Sequence, residues 1–124
     1  MPEPLIIEAR EDTPKVIFNA ANKFFEVSAR SLPENAIGFY EPVLSWLNEY
    51  SNSPLDLTVV DFKLEYFNTA SAKQLAKLLL ILENLAKKSK VVINWYFKKE
   101  DADIFASGTR FSKLIDLNFN LIEY

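Results

Sequence analysis

In the first third of the chain, apolar residues recur at every second position in short runs. Val16 and Phe18 alternate with their neighbours in "KVIFN" (15–19), and Phe25, Val27 and Ala29 do the same in "FFEVSA" (24–29). That is the period of a half-buried β-strand. "LIIEA" (5–9) is a third short strand, and "NAANK" supplies a turn that makes a hairpin of the other two. From "SLPEN" onward the period becomes helical. Ser31 and Glu34 have capping-box spacing, and Pro33 fits a first turn whose N–H groups lack intrahelical partners. This helix is expected to run to about Tyr50, before the loop "SNSP".

"LDLTVVDFKLEYF" (55–67) is the longest strand candidate. Val60, Phe62, Leu64 and Tyr66 share one face, with Asp61, Lys63 and Glu65 on the other. Leu55, Leu57 and Val59 make that second face apolar at its start, so the strand is expected to be covered on both sides there. A second helix follows from about Ser71 to Lys88. "KVVINWYF" (90–97) is a strand whose first half is apolar without interruption after Lys90, as in the middle of a sheet. "DADIFASGTRFSKLI" (101–115) is a third, weaker helix. "DLNFNLIEY" (116–124) closes with Leu117, Phe119 and Leu121 alternating against Asn118 and Asn120. Strands separated by single helices favour parallel pairing with right-handed crossovers. The pattern therefore predicts an α/β protein, one domain over residues 1–124, with a mixed sheet of about five to six strands and three helices.

The 124-residue chain contains no cysteine and no histidine, which removes disulfides and the usual ligands of zinc and haem. A net charge of −3 argues against binding to nucleic-acid phosphates. No apolar run approaches a membrane span, and "MPEPLIIEAR" lacks the features of a signal peptide, so a cytoplasmic protein is expected. The two glycines, Gly38 and Gly108, are too few for a phosphate-cradling loop. Asp61 and Glu65 flank Lys63 on one strand face, which reads as a solvated ladder of charges rather than a catalytic pair. Glu8, Glu11 and Asp12 lack the spacing of a calcium loop. A serine or threonine nucleophile has no histidine base, and after Ser71 the lysine falls at Lys73 while Gln74 stands where a Ser-x-x-Lys motif needs it. Nothing calls for catalysis, a metal or a cofactor.

In parallel sheets, sites form beyond the carboxyl ends of strands, which draws attention to "YFNTAS" (66–71). Asn68 or Thr69 is a suitable N-cap for the second helix. A hydroxyl at this helix N-terminus tolerates a phosphate, and Lys73 lies one turn on. Leu75, Leu78, Leu79, Leu82, Leu85 and Ala86 form the core stripe of that helix. Leu80 lies on the opposite side with Lys73 and Lys77, in line with Thr69. These four residues outline a partner surface. In the first helix Ala36, Ile37, Tyr40, Val43, Leu44 and Leu47 point one way, and Phe39, Trp46 and Tyr50 widen the stripe. The N-terminal strands or a loop are expected to cover it in part; an aromatic docking face is the alternative.

"LIIEAREDTPKVIF", "FFEVSARSLPENAIGFYEPVLSWLNEY" and "LEYFNTASAKQL" resemble the SiaC family of bacterial regulatory phosphoproteins, STAS-like relatives of the anti-sigma-factor antagonists. The likeness spans nearly the whole chain; Ala29 stands where a glycine commonly precedes "RSLPE". The resemblance implies a STAS-like fold and partner switching. It implies that a cognate serine/threonine kinase phosphorylates the threonine matching Thr69, that a PP2C-like phosphatase reverses this, and that the unmodified protein binds a diguanylate cyclase that makes cyclic di-GMP. Ser71 is the alternative acceptor, and Asn68, Thr69, Ser71, Lys73, Lys77 and Leu80 form the expected partner-binding set. The Asp-Ser-Ser-Gly-like site of the broader antagonists reads here as Asn68, Thr69, Ala70 and Ser71, which argues against an ordinary anti-sigma kinase. A small-ligand sensor with a pocket among the phenylalanines, or an anti-sigma-antagonist type of binding module, is the alternative. A receiver domain is disfavoured because Asp61 falls in mid-strand.

Overall fold

The computed structural model describes residues 2–124. Its elements follow the order β1 (Leu5–Ile7), β2 (Lys15–Asn19), β3 (Phe24–Ser31), α1 (Ala36–Tyr50), β4 (Leu57–Phe67), α2 (Thr69–Leu85), β5 (Lys90–Phe97), α3 (Ala102–Leu114) and β6 (Asn118–Glu123). The six strands lie side by side in sequence order. The first three pair antiparallel and the last four parallel. This is the expected mixed α/β sheet with three helices. The β2–β3 hairpin closes through Asn19, whose side chain accepts from the Asn22 N–H at 3.1 Å.

Because each parallel strand is added on the same side of the one before, right-handed crossovers put all three helices on one face. The core lies beneath them. Val16, Phe18, Phe25, Val27, Val60, Phe62, Ile93 and Trp95 are buried on that face. Leu75, Leu78, Leu79, Leu82 and Leu85 reach down from α2 as the helical pattern requires. Trp46 packs against Phe18 and Phe25 and donates its indole N–H to the Glu3 carbonyl. Tyr50 stacks on Trp46 and is fully buried. The wide aromatic stripe of α1 is therefore core, covered by the N-terminal strands, and Phe39 is half-buried against it. Ile37 does not share that role: it is 69% exposed.

The opposite face of the sheet has no helical layer. Leu57 is 46% exposed there, so the expected two-sided cover at the start of β4 does not occur. Lys63 pairs with Glu26 of β3 rather than with its strand neighbours Asp61 and Glu65. Asp61 instead accepts from Asn94, and Asn94 from Asn120, which continues the polar row to β6.

At the end of β3 the structure departs from the sequence reading. Ser31 is not a helix cap. It is the last residue of β3, opposite Phe67, and is fully buried. The cap is Asn35, whose side chain accepts from the Gly38 N–H, and Pro33 precedes the helix. The helix runs through Pro42, on its exposed side, where the unpaired Gly38 carbonyl can face water. The strand turns at Ala29, whose φ is +70°, and the β3–β4 register slips between Ala29 and Arg30 so that Glu65 has no opposite number. A left-handed conformation costs an L-residue about 1–2 kcal/mol. Glycine there gains flexibility in the unfolded chain at a smaller cost. Ala29→Gly should raise unfolding stability by about 0.5–1 kcal/mol, measured by urea titration. Gly108 has the reverse constraint. A Cβ there would lie 2.8 Å from Leu121 Cδ2 and closer still to the Trp95 indole. Gly108→Ala should destabilise by about 1–3 kcal/mol despite alanine's better helix propensity. The same titration checks it.

Candidate functional site

The carboxyl end of β4 runs into α2 through Asn68. Its extended backbone and side-chain oxygen cap the helix by accepting the Ser71 N–H at 2.9 Å. The cap is thus Asn68, and Thr69 is the first helical residue. The helix starts two residues before the sequence pattern suggested.

A buried chain of hydroxyls fixes this junction. Ser71 Oγ donates to the Ser31 carbonyl at 2.8 Å, and Ser31 Oγ donates to Ser71 Oγ at 2.8 Å. The proton of Ser31 is then committed, so the 2.6 Å bond between Ser31 Oγ and Tyr40 Oη must be donated by the phenol. The Ser31 carbonyl also accepts the Asn68 N–H at 3.1 Å. Strand β3, helix α1 and the first turn of α2 are tied at one point. Ser71, the alternative acceptor and an expected partner contact, is fully buried, and its hydroxyl is used within the fold.

Thr69 is placed differently. It is exposed, and among the described residues none hydrogen-bonds its hydroxyl. It stands on a ridge between two shallow clefts. One, of about 520 Å³, opens toward α1 and is lined by Ala36, Ile37, Ala70, Lys73 and Gln74. The other, of about 320 Å³, opens toward α3 and is lined by Asn68, Ala72, Ser107 and Arg110. Lys73 thus flanks Thr69 on one side and Arg110 on the other. Arg110 was not among the expected site residues, since only the packing of α3 beside α2 brings it here; its guanidinium meets Ser107 Oγ at 3.2 Å.

Lys73 and Lys77 are exposed, and Leu80 is 52% exposed, so the outer face of α2 carries the residues assigned to it. Asn68 is half-buried by its capping role. Of the ten phenylalanines from which a ligand pocket was expected, eight are packed into the core or against it, and Phe24 and Phe105 are exposed. Among the described residues no group of acidic side chains could hold a metal ion. No described helix is long and apolar enough to cross a membrane.

Burial raises the Tyr40 phenol to about 12, with the Ser31 hydrogen bond pulling slightly the other way. Below pH 10 the phenol is neutral folded and unfolded. Above it the unfolded chain ionises while the native phenol keeps its proton, so the unfolded state binds fewer protons and stability falls with pH. Between pH 10 and pH 12 wild type should lose about 2–3 kcal/mol through this group. Tyr40→Phe should lack that loss while losing about 1 kcal/mol at pH 7. Urea titrations of both proteins across this range provide the comparison.

A search of curated proteins finds no match. Three solved structures share the fold. SiaC of Pseudomonas aeruginosa matches with a TM-score of 0.88 at 20% identity over 98% of each chain. Apo-SiaC of that organism matches with 0.85 at 21% identity over 97% of each. A crystal structure of the diguanylate cyclase SiaD in complex with its activator SiaC, again from Pseudomonas aeruginosa, matches with 0.90 at 20% identity over 97% of this chain and 99% of that one. The model of the SiaC family regulatory phosphoproteins matches residues 7–124. This chain, with its capped helix and free threonine at the end of β4, belongs to the SiaC family of regulatory phosphoproteins.

Proposed function

We propose that the protein is a partner-switching regulator whose modified residue is Thr69. The observation that carries this reading is the contrast between two neighbouring hydroxyls. Thr69 is exposed with no partner among the described residues, whereas Ser71 is sealed in a hydrogen-bond chain. A kinase can reach the first without disturbing the fold and can reach the second only by opening it. Membership of a family of regulatory phosphoproteins supports the choice of chemistry.

A serine/threonine kinase adds the phosphate in this scheme and a PP2C-like phosphatase removes it. The unmodified protein binds a diguanylate cyclase, as the Pseudomonas aeruginosa SiaC does. The docking face runs from Asn68 and Thr69 along Lys73 and Lys77 to Leu80, which lies about 16 Å further along the helix at 1.5 Å per residue. Leu80 offers an apolar anchor, and the lysines offer charge for an acidic partner. Phosphate brings about −1.5 to −2 charges to the N-terminal end of that face. Its own helix tolerates it there, and Lys73 and Arg110 stand on either side. The partner does not tolerate it, because docking must desolvate the phosphate and bring acidic groups against it.

Binding of the native host's diguanylate cyclase to wild type, Thr69→Ala and Thr69→Asp tests the scheme by calorimetry. Thr69→Ala should bind within about threefold of wild type and Thr69→Asp at least about tenfold more weakly, a difference of about 1.4 kcal/mol. Equal binding by all three would exclude Thr69 as the switch. Intact-mass analysis of protein from its host should also show one phosphatase-sensitive phosphate that maps to Thr69.

A further inference from the structure

The cleft between the starts of α1 and α2 contains a polar group with no role in the fold. Gln74 is only 4% exposed, yet its carboxamide has no hydrogen-bond partner among the described residues and lines this cleft. Its amide atoms are not sealed off but reach the cleft, so a docked group can take over the hydrogen bonds they otherwise make to water.

The surroundings define what that partner is. Ala36 and Ile37 open α1, and Thr69 and Ala70 open α2. The caps Asn35 and Asn68 take the N–H groups of Gly38 and Ser71 instead. The N–H groups at the start of each helix are therefore outside both the caps and the helical ladders. The positive ends of two helices meet at one space, and Lys73 adds a cation at its rim. Glu34 is the one carboxylate on the lining.

We propose that this cleft receives an acidic side chain of the protein that docks on the face described above. The carboxylate is held by the Gln74 carboxamide, the free N–H groups and Lys73, while exposed Ile37 covers its aliphatic stem. This rests on the reading of Thr69 as part of a docking surface and adds the chemistry of the contact. It also gives the modification a local target. Thr69 lines the mouth of the same cleft, so a phosphate there puts a second anion where the partner's must enter.

The test needs no partner protein. The full ¹⁵N-labelled chain is titrated with N-acetyl-glutamate N-methylamide, and with the glutamine and lysine analogues as controls. The glutamate analogue alone should give saturating shifts at the Gln74 side-chain amide and at the backbone N–H groups of Ile37 and Ala70. Gln74→Leu, with the rest of its spectrum unchanged, should weaken this response at least fivefold. Glu34→Gln removes an exposed charge from the lining and should tighten it two- to fivefold. A response that does not saturate, one shared by all three analogues, one strongest for lysine, or weaker binding by Glu34→Gln overturns the proposal. Any of these leaves the Thr69 exchange experiment standing. Equal cyclase binding by the Thr69 variants, set beside a positive titration, would reject the switch and retain the acidic-side-chain site.

Discussion

Tyr40, Ser31 and Ser71 form a hydrogen-bond chain that runs one way, from phenol to hydroxyl to hydroxyl and back to the Ser31 carbonyl. The phenol only donates, each serine hydroxyl gives its single proton and accepts another, and all three residues are fully buried. In such a low-dielectric place each bond is strengthened, and each missing one is expensive. The chain joins the end of β3, the first turns of α1 and the first turn of α2. It depends in turn on Ala29, whose left-handed conformation and the register slip beside it precede the last two residues of β3. The position of Thr69 is thus set from below. Its own side chain holds nothing in place, and that leaves it free for chemistry.

Much of this was legible in the sequence. Alternation identified the strands and their inner faces, because a period of two survives whatever the partner strand is. The outer face of α2 was equally clear: Lys73, Lys77 and Leu80 fall opposite the leucine stripe by helical geometry alone. Ser31 was misplaced for a specific reason. A serine three residues before Glu34 matches a capping box, but β4 extends to Phe67 and offers Ser31 a partner strand, so β3 continues past the point where its own pattern fades. The cap passes to Asn35. Ile37 matched the α1 stripe yet lies at the first turn, where it lines the cleft instead of meeting the sheet. Gln74 and Arg110 had no usable signal. One is significant because α1 packs against α2 and the other because α3 lies beside it, and periodicity contains neither fact.

The open face of the sheet follows from the same topology. With every crossover on one side, the other side has only its own side chains to cover it. Ile6, Ile17, Glu26, Asp61, Asn94 and Asn120 lie opposite one another in register across all six strands. The row passes from apolar to acidic to amide. Glu26 and Asp61 face each other as like charges, a pairing that destabilises a sheet unless it is relieved. Here Ser28 and Lys63 attend Glu26, and Asn94 attends Asp61. Ile6 and Leu57, both apolar and exposed, show that hydrophobicity alone does not determine which face is covered.

A modification at Thr69 can act only if it changes the free energy of docking more than that of folding. The anchoring of α2 meets that condition. Its N-terminus is positive, Lys73 and Arg110 are at hand, and the Asn68 cap does not use the Thr69 hydroxyl. The phosphate therefore has little in the fold to break. Against a partner's carboxylate the balance is different. A dianion and a monoanion about 7 Å apart, at an effective dielectric constant of about 40–80, repel by about 1–2 kcal/mol. Desolvation on docking adds to this, because the phosphate loses water that the buried amide and lysine can replace for only one anion. The repulsion alone is worth about five- to thirtyfold in affinity. Under the proposed scheme, the charge of one phosphate on Thr69 is enough to alter docking, and no movement of the fold is required.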